Sequence, residues 1–159
     1  MSKREMSLHA AGALLLAVTA MAGMGAARAA GEAGTVKISK GNVAILRAGQ
    51  TLPAITGSPV MVSDRVTTGS DGSVGITLRD NTVLSAGPHS TLELNKFSFD
   101  STTHQGEINA TVKRGTLAVI SGKVAAAAPT RVSFNTPTAT LGVRGTEFVI
   151  EVADRERLP

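Results

Sequence analysis

From residue 34 onward, the sequence is a succession of short runs in which every second residue is apolar. The stretch "SVGITLRD" shows the pattern, because Val74, Ile76 and Leu78 alternate with small or polar residues. A period of two places successive side chains on opposite faces of a strand, so each run predicts a half-buried β-strand. The runs are separated by turn dipeptides such as "KG", "AG", "DN" and "SG", whose Gly, Asp and Asn residues accept a positive φ. The sequence therefore predicts an all-β domain.

The alternation does not decide how these strands are arranged. Strands that recur at roughly 8–12 residues occur in sandwiches, barrels and β-solenoids alike, and no strict sequence repeat distinguishes among them. The stretch "KVAAAAP", residues 123–129, contains helix-forming residues, but proline ends it after about one turn. We interpret it as a loop or a short connection.

The first 29 residues have the order of a secretory signal peptide. Lys3 and Arg4 precede an apolar run at Leu8–Met24, and small residues follow it. The cleavage-site residues are Ala27, Ala29 and Ala30. The alternative is an uncleaved membrane anchor, but a run so rich in Ala and Gly would span a membrane poorly. We predict cleavage near Ala29–Ala30, a periplasmic or secreted protein, and no stable membrane insertion after cleavage.

The remaining chain divides into three parts by composition. Residues 30–33 are predicted to be a flexible amino-terminal segment, residues 34–152 a single all-β domain, and residues 153–159 a solvated tail. No Gly/Ser-rich or charged linker interrupts the central part.

Charge and composition exclude several classes of partner. Residues 1–29 hold three of the 16 basic and one of the 12 acidic residues, so the mature chain would carry 13 against 11, a net charge of +2. No basic run exceeds two residues and the chain has no Trp or Tyr, so we predict no nucleic-acid binding. The absence of Cys excludes disulfides and thiolate chemistry.

No catalytic or metal-binding frame is recognisable in the sequence. The dipeptide Gly122–Lys123 is followed by Val124 where a phosphate loop needs a hydroxyl, and no serine sits in a G-x-S-x-G frame. His89 and His104 belong to no metal-ligand spacing, and we interpret both as surface-turn residues. We therefore predict a protein that is not an enzyme and binds neither cofactor nor metal.

An ordered set of motifs carries a resemblance to a known family. The motifs are "GNVAILRAGQTL" (41–52), "DRVTTGSDGSVGITLRDNTVLSAGPHSTLEL" (64–94), "KRGTLAVISGK" (113–123), "VSFNTPTAT" (132–140) and "GVRGTEFVIEV" (142–152). In this order they resemble the FecR domain, a periplasmic sensing module of regulators of ferric-dicitrate uptake. The resemblance covers about Gly34–Val152. It implies an all-β domain of stacked, twisted, β-solenoid-like sheets, with a β-sandwich as the alternative.

We interpret the residues that match the family motifs as structural. They are Arg47, Gly49, Asp64, Thr68, Gly69, Asp71, Gly72, Asp80, Pro88, Gly115, Pro137, Gly142, Arg144, Gly145, Thr146 and Phe148. The chain departs from the family pattern at two turns, where Ser63 and Asn81 stand in place of the usual glycines. Asn tolerates a positive φ, so the second change is mild.

The closing motif raises the question of whether Arg144 is a functional charge. The family accepts Arg or an aliphatic residue at this position, which favours a turn. In this interpretation Gly142 and Gly145 take a positive φ or approach another strand closely. Thr146 then starts a strand whose alternate residues, beginning with Phe148, enter the core. For Asp64 and Asp71 we expect side chains that bond their own backbone two residues on.

The resemblance implies a stand-alone, exported FecR-domain protein. We expect a non-catalytic module that senses or binds other proteins in envelope signalling, and whose exposed strand edges add a strand of a partner. The expected partner is an envelope or outer-membrane protein, and a homo-oligomer is possible. The alternatives are a structural, surface-associated β-solenoid without a signalling role and, less favoured because site elements are missing, a small-ligand carrier.

Overall fold

The structure is a computed structural model that describes residues 31–143 and 146–153. The predicted signal peptide, with its cleavage residues Ala27, Ala29 and Ala30, lies outside the described residues. Arg144, Gly145 and residues 154–159 lie outside them as well.

Short strands make up most of the described chain, so the all-β prediction is confirmed. The strands are β1 (Glu32–Lys40), β2 (Val43–Arg47), β3 (Gln50–Pro53), β4 (Pro59–Met61), β5 (Arg65–Thr68), β6 (Ser73–Leu78), β7 (Val83–Ala86), β8 (Thr91–Phe99), β9 (Gly106–Ile120), β10 (Val132–Asn135), β11 (Thr140–Gly142) and β12 (Glu147–Val152). One short helix, α1 (Lys123–Ala127), and a 3-10 turn at Pro129–Arg131 join β9 to β10.

Helix α1 lies where the sequence predicted a loop or a short connection. It is five residues long, and Val124 and Ala125 are buried in the core. So short a helix is marginal by itself, because most helical stability in proteins comes from tertiary packing. Burial of these two side chains explains why one turn of helix forms here.

Strand β9 joins the two halves of the sheet. Its first part, residues 106–114, pairs with β8 and β10, and its second part, residues 115–120, pairs with β7 and β12. The change of partners falls at Gly115, where φ is +84° and a Cβ atom would overlap Ser90. Glycine tolerates this conformation and this close approach, so it lets one strand serve both halves.

The sheet curls into an open half-barrel. Its main path runs β3-β2-β5-β8-β9-β7-β6-β1-β4, while β10 and β12 add to the other side of β9 and β11 pairs with β10. The curled sheet encloses one hydrophobic core to which both halves contribute. Strand β6 shows how the alternation works, because Val74, Ile76 and Leu78 are each at most 2% exposed.

The β-solenoid-like arrangement is not confirmed. A solenoid stacks coils of the chain in parallel, whereas the described strands pair antiparallel except for β9 with β10. The reason is local. Two-residue turns such as Ala48–Gly49, with φ of +48° and +80°, have the geometry that folds a strand back on its neighbour.

No helix in the described part of the chain is long and apolar enough to cross a membrane.

Candidate functional site at the edge strand β12

Strand β12 is an edge of the sheet, and among the described strands it pairs with β9 alone. Ser121 N–H donates to the Thr146 carbonyl over 2.7 Å, immediately before the strand begins. Hydrogen-bonded and non-hydrogen-bonded pairs alternate along an antiparallel ladder, so the N–H and C=O groups of every second residue, beginning with Phe148, point at β9. The corresponding groups of Glu147, Val149 and Glu151 therefore point away from the sheet.

The side chains of the same three residues form the outer face of β12. Glu147 and Glu151 are exposed, and Val149 between them is 64% exposed. Glu151 also lines a small cleft together with Lys113 and Arg114 of β9. The edge thus presents unpaired backbone groups beside an acidic, apolar, acidic row.

The opposite face of β12 anchors the strand to the core. Ile150 is buried, while Phe148 and Val152 are half-buried. Phe148 meets the buried Phe134 edge-to-face, with ring centroids 5.4 Å apart, a geometry that adds stability beyond the area buried. The prediction that this face of the closing strand enters the core is therefore confirmed for Ile150 and holds in part for the other two.

The other edges of the sheet are shorter or interrupted. Strand β4 has three residues and starts with Pro59, strand β3 ends with Pro53, and strand β11 has three residues. Short edge strands and prolines are devices that prevent edge-to-edge pairing. Strand β12, with six residues and no proline, carries neither of these devices.

An open cleft of about 940 Å³ lies at the amino-terminal end of β12. Its lining consists of small apolar and hydroxyl residues: Ser121, Gly122, Ala125, Ala126, Pro129, Thr130, Val132, Ser133, Thr140, Gly142, Val143 and Thr146. No side chain among these described lining residues is ionisable, so this part of the cleft suits a neutral, largely apolar group. Ser121 Oγ is buried without a hydrogen bond to any described group.

The motif residues Arg47 and Asp64 form an ion pair far from β12 in the fold. Arg47 Nε lies 2.8 Å from Asp64 Oδ1, and Arg47 Nη2 lies 2.7 Å from Asp64 Oδ2. Met61 N–H also donates to Asp64, and Arg47 donates to the Pro59 carbonyl. The hydrogen bonds that Arg47 donates to the Asp64 carboxylate raise the pKa of Arg47 above its ordinary value. This pair therefore holds β4 and the turn after it against β2.

The motif residues between β5 and β6 hold the loops at one end of the sheet. Thr68 Oγ1 donates to the Gly87 carbonyl over 2.6 Å and accepts from Ser90 N–H over 2.8 Å. Gly69 N–H donates to the Asn42 carbonyl, and a Cβ atom at Gly72 would overlap that same carbonyl. These contacts are internal to the fold.

Asp80 is fully buried and caps two segments at once. It accepts hydrogen bonds from Thr82 N–H, Thr82 Oγ1 and Val124 N–H, at 3.0, 2.8 and 3.2 Å. The same residue's carbonyl accepts from Lys123 N–H. Asp80 therefore fixes the start of α1 against the β6–β7 turn. This contact positions Ala125 and Ala126 of α1, which line the cleft.

Two expectations about the motif residues were wrong. The Asp64 and Asp71 side chains do not bond their own backbone two residues on: Asp64 accepts from Arg47 and from Met61 N–H, and Asp71 accepts from Asn42 N–H at 3.2 Å. Asp80 does accept a hydrogen bond from the backbone two residues on, at Thr82 N–H. The cause is the fold, which brings Arg47 within reach of Asp64 and Asn42 within reach of Asp71.

Gly142 also differs from its expectation. It has no positive φ, and a Cβ atom there would meet nothing within 4 Å. Its backbone is in the extended strand β11, so no special conformation is required of it. The companion expectations for Arg144 and Gly145 fall on residues outside the described part of the chain.

The remaining motif residues lie in turns or beside the cleft. Gly49 closes the β2–β3 hairpin, Pro88 precedes β8 and its carbonyl accepts from Ser90 Oγ, and Pro137 sits in the turn between β10 and β11. Thr146 lines the cleft and directly precedes β12, which starts one residue later than expected. That all of these residues are structural stays a prediction.

Sequence reasoning did not single out the outer row of β12. The signal was present as the alternation Glu147, Val149, Glu151 within "EFVIEV". The alternation alone could not identify an edge strand, because the position of a strand at a sheet edge depends on pairing with residues far along the chain.

A family model described as FecR protein matches residues 64–158. The chain belongs to the FecR family. The match includes β5 to β12, and therefore both the cleft and the edge strand, whereas β1 to β4 with Arg47 and Gly49 precede it. Membership of the FecR family indicates a part in the regulation of envelope signalling. Comparisons with curated proteins and with solved structures found no match.

Proposed function

We propose that this FecR-family chain is an exported, non-catalytic domain that binds an extended segment of another envelope protein by strand addition at β12. The observation that carries the proposal is the outward direction of the N–H and C=O groups of Glu147, Val149 and Glu151 on an edge that pairs with β9 alone among the described strands. An added strand would satisfy these groups with main-chain hydrogen bonds, while side-chain pockets and charges would supply specificity.

The sequence of residues 1–29 supports export, because a basic start, an apolar run and small residues at the cleavage site occur in that order. A periplasmic location would place the domain beside envelope proteins, which are the partners that family membership points to. The described lining of the cleft is uncharged and largely apolar, which supports a binding role. A bound segment that extended past Thr146 would meet this apolar surface.

The position of Val149 permits a clean test. Its N–H points away from β9, so Val149→Pro would remove one outward donor without removing a hydrogen bond of the ladder. The matched control Val149→Thr changes the same side chain and keeps the N–H. Tagged, signal-bearing wild-type protein and both variants would be crosslinked in cells, and the captured envelope proteins identified.

We expect wild type and Val149→Thr to capture the same envelope partner, and Val149→Pro to lose it while its melting temperature stays close to that of the control. Equal capture by all three proteins would contradict strand addition at β12. Capture of the chain's own copies alone would favour the structural, surface-associated alternative.

A further inference from the structure

We infer that the segment bound at β12 carries a basic residue on each side of an aliphatic one, in the alternating order Lys or Arg, any residue, aliphatic, any residue, Lys or Arg. This inference rests on the proposed strand addition and names the chemistry of the partner. It follows from the charges and exposure of the outer face of β12.

The first step is geometric. A strand added beside β12 would place alternate side chains next to Glu147, Val149 and Glu151, with Cβ atoms about 4.5–5.5 Å apart for directly opposed residues. Opposite charges in such cross-strand pairs are stabilising, and like charges are destabilising. Two carboxylates at positions i and i+4 therefore favour two cations at the same spacing on the added strand.

The second step concerns the neighbour that β12 already has. On β9, the residues opposite Glu147, Val149 and Glu151 are Ile120, Ala118 and Thr116. None of these three is charged, so no residue directly opposite the row gives either carboxylate a counter-charge, although Lys113 and Arg114 of β9 line a small cleft together with Glu151. The next strand, β7, also places uncharged residues, Val83 and Ser85, on this face.

The third step concerns the central position. Val149 is 64% exposed, and Ile120 on the adjacent strand is 48% exposed. An aliphatic side chain opposite Val149 would cover part of this apolar surface, and each Å² removed from water contributes about 25 cal/mol. The row thus selects for an apolar residue in the middle and basic residues at both ends.

The same charges act against a second copy of this chain as the occupant. In the antiparallel pairing of two β12 strands that is centred on Val149, Val149 would face Val149, and Glu147 of each copy would face Glu151 of the other. Directly opposed like charges are destabilising. The acidic row therefore disfavours self-association in this register and leaves the edge available to a cationic segment.

The test uses two end-blocked synthetic peptides that differ only in charge. One has the sequence Thr-Lys-Thr-Val-Thr-Lys-Thr, and in the other both lysines are replaced by glutamate. Each would be titrated at low ionic strength into the isotope-labelled full chain, with the backbone amide signals of β12 followed by NMR. The variants are Glu147→Gln/Glu151→Gln, which removes the charges at exposed positions, and Val149→Pro, which blocks the edge.

We expect the lysine peptide to shift the amide signals of Glu147, Val149 and Glu151 and to bind about tenfold more tightly than the glutamate peptide. The preference should disappear in Glu147→Gln/Glu151→Gln, shrink as salt is added, and be absent in Val149→Pro, which should bind neither peptide. Equal affinity for both peptides, or no β12 shift at several millimolar lysine peptide, would overturn the inference. Concentration-dependent dimerisation of the wild-type chain that Val149→Pro abolishes would overturn it as well.

The outcomes separate this inference from the proposed function. If both peptides bind equally and Val149→Pro blocks both, strand addition stands and the charge selection fails. If Val149→Pro leaves both peptide binding and partner capture unchanged, strand addition itself fails.

Discussion

Arg47 and Asp64 face each other in a bidentate ion pair, with N–O distances of 2.8 and 2.7 Å. The Asp64 side chain is fully buried, whereas 30% of the Arg47 side chain remains exposed. A planar guanidinium matches the two carboxylate oxygens in this geometry, which a lysine cannot reproduce. The pair links a residue that precedes the family match to the first residue within it.

Removal of Arg47 should destabilise the folded protein, because it leaves Asp64 buried without its counter-charge. In Arg47→Ala, Asp64 would keep its bond from Met61 N–H but would lose its counter-charge while still buried. We expect a loss of about 3 kcal/mol in the free energy of unfolding, measured by urea denaturation. The control is Lys96→Ala, which removes an exposed pair with Glu107 at 3.5 Å and should cost less than about 1 kcal/mol. Similar losses in the two variants would contradict the importance of burial.

Ser63 occupies a turn in the left-handed conformation, with φ of +72°. A side chain in this region costs about 1–2 kcal/mol. We expect Ser63→Gly to stabilise the protein by about 0.5–1 kcal/mol in urea denaturation, after allowance for the greater entropy of unfolded glycine. The same change at Ser73, inside β6, should destabilise the protein. A loss of stability in Ser63→Gly would contradict the strain argument.

Gly115 should be intolerant of any side chain. Its positive φ and its approach to Ser90 allow β9 to pass from one half of the sheet to the other. Gly115→Ala should therefore lower the free energy of unfolding by at least about 2 kcal/mol. Gly142→Ala is the matched control, because that glycine also belongs to a family motif but has open space around it. Comparable melting temperatures for the two variants would refute this account of Gly115 in β9.

Acid should weaken the turn between β8 and β9. Backbone N–H groups of Thr103 and Thr102 donate to Asp100 Oδ1 and lower the pKa of this carboxyl. A lowered pKa in the folded state means that the stabilisation is present above the ordinary Asp pKa of about 3.9 and is lost as the pH falls through the folded-state pKa. The stability advantage of wild type over Asp100→Asn, measured by urea denaturation, should thus shrink below about pH 4. A difference that stays constant between neutral pH and pH 3 would contradict it.

The sequence predicted which side chains face the core better than it predicted how the strands are arranged. Alternation is a local property, so the inward positions of Val74, Ile76 and Leu78 could be read directly. The half-barrel depends on pairings between distant strands and on one long strand, β9, that serves both halves. Nothing in the alternation marks that strand.

The same distinction holds for the site residues. The motifs pointed to Asp64 and Asp80, but each of these residues also has a distant partner, Arg47 at 17 residues and Val124 at 44 residues, beyond the reach of local turn rules. Gly142 and Gly115 look alike in the sequence, and only the second needs to be glycine. The row Glu147, Val149 and Glu151 can be interpreted as a binding edge only from the position of β12 in the sheet, which the local sequence does not determine.

Site-specific photocrosslinking in cells tests strand addition at β12 most directly. A photoreactive residue would replace Val149 in one variant and Ile55 in another, since both side chains are 64% exposed and Ile55 lies in the loop between β3 and β4. The account predicts an adduct with one envelope protein from position 149 and none with that protein from position 55. The same adducts from both positions, or none from position 149, would contradict the assignment of β12 as the binding edge.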